Sequence, residues 1–276
     1  MKQKSRFLKK KNHSRTVLIL ACVAVSLLIL VLSLLLVILS RRTKTVAVPT
    51  TVPTTQVETT PATTAETTQE TTETAATEAP LVMLENMAAL YAENPDVIGY
   101  VRIDDTKLDY PVMYTPDNEE KYIHADFNGK FSVGGLPFID KDCSMDPEST
   151  NLIIYGHNMN NGTAFRTLMG YDKKTFWEQH PTIYFSTLYE ERTYEIVAAF
   201  YDRVYYKYED VFKFYNFVEP TDEADFNYAM EQFKEKSLYD TGVTASYGDH
   251  LITLVTCAYH TDNGRFVVVA REIADE

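Results

Sequence analysis

Three residues that can carry out chemistry stand where apolar segments of this sequence end or begin. Cys257 closes one apolar run, His157 follows a second after a single glycine, and Arg265 opens a third. A thiol can attack a carbonyl carbon, an imidazole can exchange protons, and a guanidinium can hold an oxyanion or a substrate carbonyl. The three residue types therefore suggest a thiol-dependent site at the ends of strands.

The spacing between Cys257 and Arg265 places them on neighbouring strands. Residues 251–257 and 266–273 have the apolar character of strands, and their connection contains Asp262-Asn263-Gly264, a turn signal. Antiparallel pairing across this turn would bring the end of the first strand beside the start of the second. We therefore expect the thiol and the guanidinium to lie together at one edge of the sheet.

The other cysteines and histidines offer competing interpretations. Cys257 could be a small buried hydrophobe, or it could form a disulfide with Cys143. These two cysteines with His157 and His260 could bind zinc, but their spacing fits no zinc family, so we expect neither a metal nor another cofactor. His260 lies three residues from the thiol and is an alternative base to His157, before which Gly156 permits a tight turn. We interpret three further histidines as structural or solvated: His124, His180 and His250.

The N-terminal residues predict a membrane anchor. Seven positive charges lie in residues 1–15, the 24 residues 16–39 carry no charge, and three positive charges follow in residues 41–44. The uncharged length is enough to span a bilayer, and the more positive flank stays cytoplasmic. We therefore expect residues 16–40 to be a single-pass signal anchor, with the tail 1–15 in the cytoplasm and the C-terminal part outside the cell. A cleaved signal peptide is the alternative.

The rest of the chain divides into a tether and a globular domain. Fifteen of the 36 residues at 45–80 are Thr, so residues 41–80 have little apolar surface to bury and are expected to form a disordered extracellular tether. Residues 81–276 are long enough for one domain with a sizeable core. They contain 16 basic and 34 acidic residues, a net charge of −18, which argues against binding to nucleic acid or to anionic lipid.

Hydrophobic periodicity in the domain predicts a mostly β fold with few helices. A helical pattern at 83–91 stops at Asn94-Pro95, and the clearest helix is 221–236, with acidic residues in its first turn and lysines in its last. Many short strands with peripheral helices indicate a β-barrel or a β-sandwich. The remaining predicted elements are short helices at 163–169 and 173–179 and strands at 97–103, 107–113, 136–140, 151–155, 182–186 and 192–206.

Several motifs surround the candidate residues: Thr253-Leu254-Val255-Thr256-Cys257, Arg265, Tyr155-Gly156-His157-Asn158-Met159 and the segments 94–100, 109–112 and 126–129. These motifs resemble those of sortases, the membrane-anchored cysteine transpeptidases of Gram-positive bacteria, and the three segments resemble class B members. The resemblance covers residues 81–276, and the helix at 221–236 matches an insertion that marks class B. Val255 departs from class B members, which often have Ser at this position, and the departure bears on peptide specificity rather than on the chemistry.

The resemblance implies a fold and a role for each site residue. The fold would be the closed eight-stranded sortase β-barrel, with an N-terminal helix and a peripheral helix between the last strands. Cys257 would attack the carbonyl of a Thr in a C-terminal sorting motif of a secreted protein and form a thioester. His157 would be the general acid and base, and Arg265 would hold the substrate carbonyl or the oxyanion.

The resemblance also implies the partners of the reaction. An amine of a peptidoglycan cross-bridge or of a lipid-linked precursor would resolve the thioester, and no nucleotide would be needed because the thioester conserves the energy of the peptide bond. One alternative is a class B-like pilin polymerase, in which a pilin Lys is the nucleophile. Another is a non-catalytic, tethered wall-binding module. We expect the protein at the cell membrane, with the domain 81–276 extracellular.

Overall fold

Eight strands form the body of the C-terminal domain in the computed structural model, which describes residues 82–273. The strands are β1 (Val97–Arg102), β2 (Asp109–Met113), β3 (Phe138–Ile139), β4 (Asn151–Gly156), β5 (Thr182–Thr187), β6 (Glu191–Arg203), β7 (Leu251–Cys257) and β8 (Gly264–Ile273). They pair in the order β1-β2-β3-β4-β7-β8-β6-β5, and β5 pairs with β1 to close a barrel. The predicted eight-stranded barrel is confirmed, and the sandwich alternative is wrong.

Within residues 82–273 the α-helices lie at the periphery of the barrel as α1 (Glu85–Glu93), α2 (Lys174–Gln179) and α3 (Glu223–Lys236). α1 ends just before Asn94, because a residue that precedes proline is disfavoured in helical conformation. α3 is capped by Asp222, whose carboxylate accepts a hydrogen bond from the Asp225 N–H at 2.9 Å. As predicted, α3 lies between the last strands, in the connection from β6 to β7. The buried residues of α3 are Phe226, Ala229, Met230 and Phe233.

The strand β7 is buried along almost its whole length. Its first six residues are all buried, whereas Cys257 at its end is half-buried. β7 lies between β4 and β8, and a strand covered on both faces shows no alternation of buried and exposed residues. Cys257 is consequently the first residue of this strand to reach the surface.

Several predicted elements differ from the structure in their extent or type. β3 is limited to Phe138–Ile139 within the predicted 136–140, β6 ends at Arg203 rather than at residue 206, and β8 begins at Gly264 rather than at residue 266. β2 begins at Asp109 rather than at residue 107, because a turn precedes it in which the Thr106 hydroxyl donates to the Ile103 carbonyl at 2.8 Å. The segment predicted as a helix at 163–169 forms a 3-10 helix at Phe165–Asp172. The earlier start of β8 places Arg265 within the strand, directly paired with Cys257, rather than just before it.

The predictions for the N-terminal part of the chain lie outside the described residues. The tail 1–15, the anchor 16–40 and the tether 41–80 therefore stay predictions. Among residues 82–273, no helix is both long enough and apolar enough to cross a membrane.

Candidate active site

The parallel pairing of β4 with β7 brings His157 and Cys257 to the same end of the barrel. Gly156 pairs with Thr256 at the end of this ladder, so each candidate residue directly follows a paired position. The Thr256 hydroxyl also donates to the Gly156 carbonyl at 2.8 Å and holds the two strand ends together. Because the strands run in the same direction, two residues 100 positions apart lie at the same end of the β4–β7 ladder.

β8 adds Arg265 to this edge of the sheet. Cys257 and Arg265 are directly paired in the antiparallel β7–β8 ladder, as the turn between them predicts, and both are half-buried. Nη1 of Arg265 donates to the carbonyls of Asn263 at 3.2 Å and Gly264 at 3.0 Å. Among residues 82–273 no carboxylate forms an ion pair with this guanidinium. Its other N–H groups are therefore available to a substrate oxygen.

All three candidate side chains line one small cavity of about 140 Å³. A peptide carbonyl that enters it would be partly shielded from water, and electrostatic interactions strengthen in such surroundings. A larger depression of about 680 Å³ near the start of β4 is lined by acidic and polar residues and includes none of the three, so we place the site at the smaller cavity. The apolar and aromatic walls of the small cavity are Ile123, Leu136, Phe138, Tyr155 and Val255.

The imidazole of His157 is held through one of its two nitrogens. Nε2 lies 2.8 Å from the carbonyl oxygen of Ile123. Because a carbonyl oxygen only accepts hydrogen bonds, Nε2 carries a proton, and Nδ1 is the nitrogen left for proton exchange. His124 stacks on the same ring, with the ring centroids 5.4 Å apart and the planes inclined by 22°. The Ile123 carbonyl therefore holds one edge of the imidazole, and the His124 ring packs against one of its faces.

The contact between His124 and His157 is a feature that the sequence did not predict. We interpreted His124 as structural or solvated, but its exposed ring lies against both His157 and Phe131. No spacing in the sequence signals this contact, because it arises where the connection between β2 and β3 folds over the end of β4. His180 and His250 pack elsewhere, against an aromatic ring and near a carboxylate respectively.

Asn158 is a second residue that the candidate trio omitted. Its buried side chain donates from Nδ2 to the Cys257 carbonyl at 2.7 Å. Its Oδ1 accepts a hydrogen bond from Nη1 of Arg166 at 3.1 Å, and this contact orients the amide. Asn158 thus fastens the loop after His157 to the strand end that carries the thiol. The sequence signal that could have pointed to Asn158 was its position directly after His157.

The chain matches known proteins over the region that contains this site. Residues 101–273 match the sortase domain family. Sortase B of Listeria monocytogenes is 30% identical over 71% of this chain and 77% of its own length. The chain belongs to the sortase family. Among solved structures, the Staphylococcus aureus sortase B–substrate complex aligns with a TM-score of 0.62 at 26% identity, over 69% of this chain and 86% of that one. A sortase B complexed with triglycine aligns with a TM-score of 0.60 at 28% identity, over 67% and 84%.

These similarities give the sortase its class and its type of activity. It is a class B sortase, as the motifs and the helix between the last strands predicted. It is a cysteine transpeptidase that cleaves sorting motifs. The alternative of a non-catalytic wall-binding module is therefore wrong.

Gly156 serves close packing in this sortase rather than a tight turn. A Cβ atom at this position would lie 2.5 Å from Cγ of Phe165. The glycines with a positive φ are at other positions, so the prediction of a special turn at Gly156 was wrong. The N–H of Phe165 also donates to the His157 carbonyl at 2.9 Å. The absence of a side chain at residue 156 lets the Phe165 ring pack against the backbone just before the imidazole, while the Phe165 N–H holds the carbonyl of His157 itself.

The competing residues lie apart from the cavity of this sortase. Cys143 is a buried free thiol whose sulfur accepts a hydrogen bond from the Ile153 N–H at 3.5 Å, and burial raises its pKa to about 12. It forms no disulfide with Cys257. His260 is exposed, packs edge-on against Tyr201 and does not line the cavity. In the part of the chain that the structure describes, no three potential ligands cluster to hold a metal.

Proposed function

We propose that Cys257 is the nucleophile of this sortase, His157 its general acid and base, and Arg265 the group that stabilises the substrate oxyanion. The observation that carries the proposal is the single cavity around which the β4–β7 and β7–β8 ladders gather these side chains. A thiol, an imidazole and a guanidinium against apolar walls are the groups that acyl transfer through a thioester requires.

The first half of the proposed reaction forms a thioester. The Cys257 sulfur attacks the carbonyl carbon of a Thr in the sorting motif, and the C–N bond of the scissile peptide breaks. Nδ1 of His157 takes the proton of the Cys257 thiol and passes it to the leaving amine, while the Nε2–H stays bonded to the Ile123 carbonyl. Arg265 faces the oxygen on which negative charge develops. The products are an acyl-enzyme and a free fragment with a new amino terminus.

The second half transfers the acyl group to an amine. The amine attacks the thioester, its proton passes to Nδ1 of His157, and the Cys257 thiolate leaves. The proton then returns from Nδ1 to the sulfur and restores the starting site. An amine from a peptidoglycan cross-bridge or a lipid-linked precursor suits this step, because a similar sortase B was solved with triglycine, a peptide that carries such an amine. The net charge of −18 on residues 81–276 also favours the approach of cationic acceptors.

Arg265→Lys is expected to keep the fold and to lower kcat by about 10²- to 10³-fold, the usual loss for one oxyanion-stabilising donor. Lysine has a point charge and lacks the planar fork of arginine. The loss should fall on kcat because the interaction strengthens as charge develops in the transition state. The measurement is steady-state cleavage of a sorting peptide by the full-length protein. A kcat close to the wild-type value would leave Arg265 as a strand-flanking charge.

The same assay identifies the acceptor when an amine is added. With a peptide that has an N-terminal glycine, the wild-type protein is expected to release a joined peptide as well as the hydrolysed acid, because amine and water compete for the thioester. Mass spectrometry of the products measures their ratio. Joining only to a Lys side chain of an acceptor peptide would favour the pilin polymerase over wall anchoring.

We also propose that residues 16–40 anchor this sortase in the cell membrane with the domain outside. The support is the seven positive charges before this segment against three after it. Protease added to intact cells stripped of their wall is expected to remove residues 81–276, as followed with an antibody to the domain. Full protection of the domain, with digestion after lysis, would contradict this orientation.

A further inference from the structure

A buried carboxylate lies next to the guanidinium at the edge of the candidate site. Asp202 of β6 and Arg265 of β8 are direct partners in the antiparallel β6–β8 ladder. Such partners project from the same face of a sheet, with Cβ atoms about 4.5–5.5 Å apart. The Asp202 side chain is only 2% exposed. A buried carboxylate beside an arginine would ordinarily form an ion pair with it.

Three other groups contact the Asp202 carboxylate instead of the Arg265 guanidinium. Oδ1 accepts hydrogen bonds from the Tyr205 hydroxyl at 2.6 Å and from the Arg203 N–H at 2.8 Å. Burial, followed by the bond to Asp202, raises the pKa of Tyr205 to about 12, so this hydroxyl stays a donor. Oδ2 lies 3.3 Å from Nζ of Lys236, in the last turn of α3, and has no hydrogen-bond partner among the described residues. Lys236 is therefore the ionic partner of Oδ2.

The neighbouring arginines are directed away from Asp202. The Arg203 guanidinium is paired with Glu209. Arg265 contacts the two backbone carbonyls of its own turn and lines the cavity. The arginine next to the candidate nucleophile thus forms no ion pair with the nearby carboxylate, and the cation that does pair with this carboxylate comes from α3.

We propose that Lys236 is a positioning residue. It pairs with the Asp202 carboxylate and thereby leaves the Arg265 guanidinium free to face the substrate. The inference rests on the role of Arg265 in the proposed function. Without Lys236, Oδ2 would be a buried charge with no partner, a costly arrangement that a nearby cation relieves. The Arg265 guanidinium, on the adjacent strand, would then turn toward Asp202 and away from the cavity. In this way α3 contributes to catalysis although it supplies no group to the cavity.

Four variants of the full-length protein test this role in the sorting-peptide assay. Lys236→Met is expected to lower kcat by about 10- to 100-fold, somewhat less than complete loss of an oxyanion donor. Asp202→Asn, which removes the competing charge, is expected to stay within a few-fold of the wild type. The double variant Asp202→Asn/Lys236→Met should recover most of the activity that Lys236→Met loses. Lys236→Arg, which keeps the cation, should be close to the wild type.

The pattern of rescue separates this role from a structural tie between α3 and β6. If the ion pair only held the helix in place, Asp202→Asn and Lys236→Met would be equally damaging, and the double variant would be no better. That result would overturn the proposal, as would a normal kcat for Lys236→Met. Melting temperatures are measured in parallel, with assays run well below them. Should Lys236→Met fail to fold, low activity in Asp202→Asn and the double variant would still contradict the proposal.

The outcome for Arg265→Lys distinguishes failure of this inference from failure of the proposed function. If Arg265→Lys retains a normal kcat, the proposed role of Arg265 is wrong and this inference falls with it. If Arg265→Lys loses activity while Lys236→Met does not, only the inference about Lys236 is wrong.

Discussion

Cys257→Ala is expected to abolish cleavage of a sorting peptide by this sortase. Loss of the nucleophile from a catalytic unit lowers kcat on the order of 10⁶-fold, which would leave only background hydrolysis. No other described thiol can take its place, because Cys143 is buried and its pKa is raised to about 12. The measurement is the initial rate of the purified full-length protein, with circular dichroism to verify that the variant is folded.

Cys143→Ala is the matched control for this substitution. It removes a buried sulfur and should cost some stability, but it leaves the β4–β7 and β7–β8 ladders and the cavity unchanged, so most activity should remain. Equal losses from both substitutions would instead indicate a shared role for the two cysteines. In the wild type, acid quenching followed by mass spectrometry should find the acyl group on Cys257. An active enzyme without any adduct at this residue would contradict the thioester mechanism.

His157→Ala is expected to lower kcat by about 10²- to 10⁴-fold, the range for loss of a positioned general acid–base. The imidazole is fixed by the Ile123 carbonyl and by the stacked His124 ring, so its Nδ1 is held in one direction. An alanine leaves no group there to protonate the departing amine. Steady-state kinetics with a sorting peptide, together with a melting temperature, separate this loss from a loss of folded protein.

His260→Ala is the comparison that tests the choice of histidine. His260 is also close to Cys257 in sequence, but its exposed ring packs against Tyr201 and lies outside the cavity. Its removal should therefore cost far less activity than removal of His157. If His260→Ala were the more damaging of the two, the assignment of His157 as acid and base would be wrong.

Local sequence patterns predicted much of the fold around the candidate site. The turn Asp262-Asn263-Gly264 between two apolar runs was enough to place Cys257 opposite Arg265, because a short connection between strands leaves little choice but antiparallel pairing. The dipole-complementing charges of α3 located that helix within a few residues of its observed bounds. In both cases the information lies within about 15 residues of the feature, where periodicity and turn chemistry act.

Such local patterns could not predict contacts between distant parts of the chain. Nothing in the sequence around His124 indicated that its ring would stack on His157, or that the Ile123 carbonyl would fix which imidazole nitrogen exchanges protons. Gly156 was noticed, but for the wrong reason, because the ring that excludes a side chain there belongs to Phe165. The pairing of Lys236 with Asp202 was equally hidden, since it joins the end of α3 to the end of β6, two positions far apart in the sequence.

The sequence by itself determined which residue types stand at the strand ends, the antiparallel neighbours Cys257 and Arg265, and the family to which the chain belongs. Only the tertiary structure decided that His157 joins them, because β4 and β7 pair in parallel across 100 residues of intervening chain. Parallel strands need a long connection, and the partner that a strand finds across such a distance depends on the closure of the whole barrel. The orientation of the imidazole likewise depends on the Ile123 carbonyl and the His124 ring, which only the closed fold brings to His157.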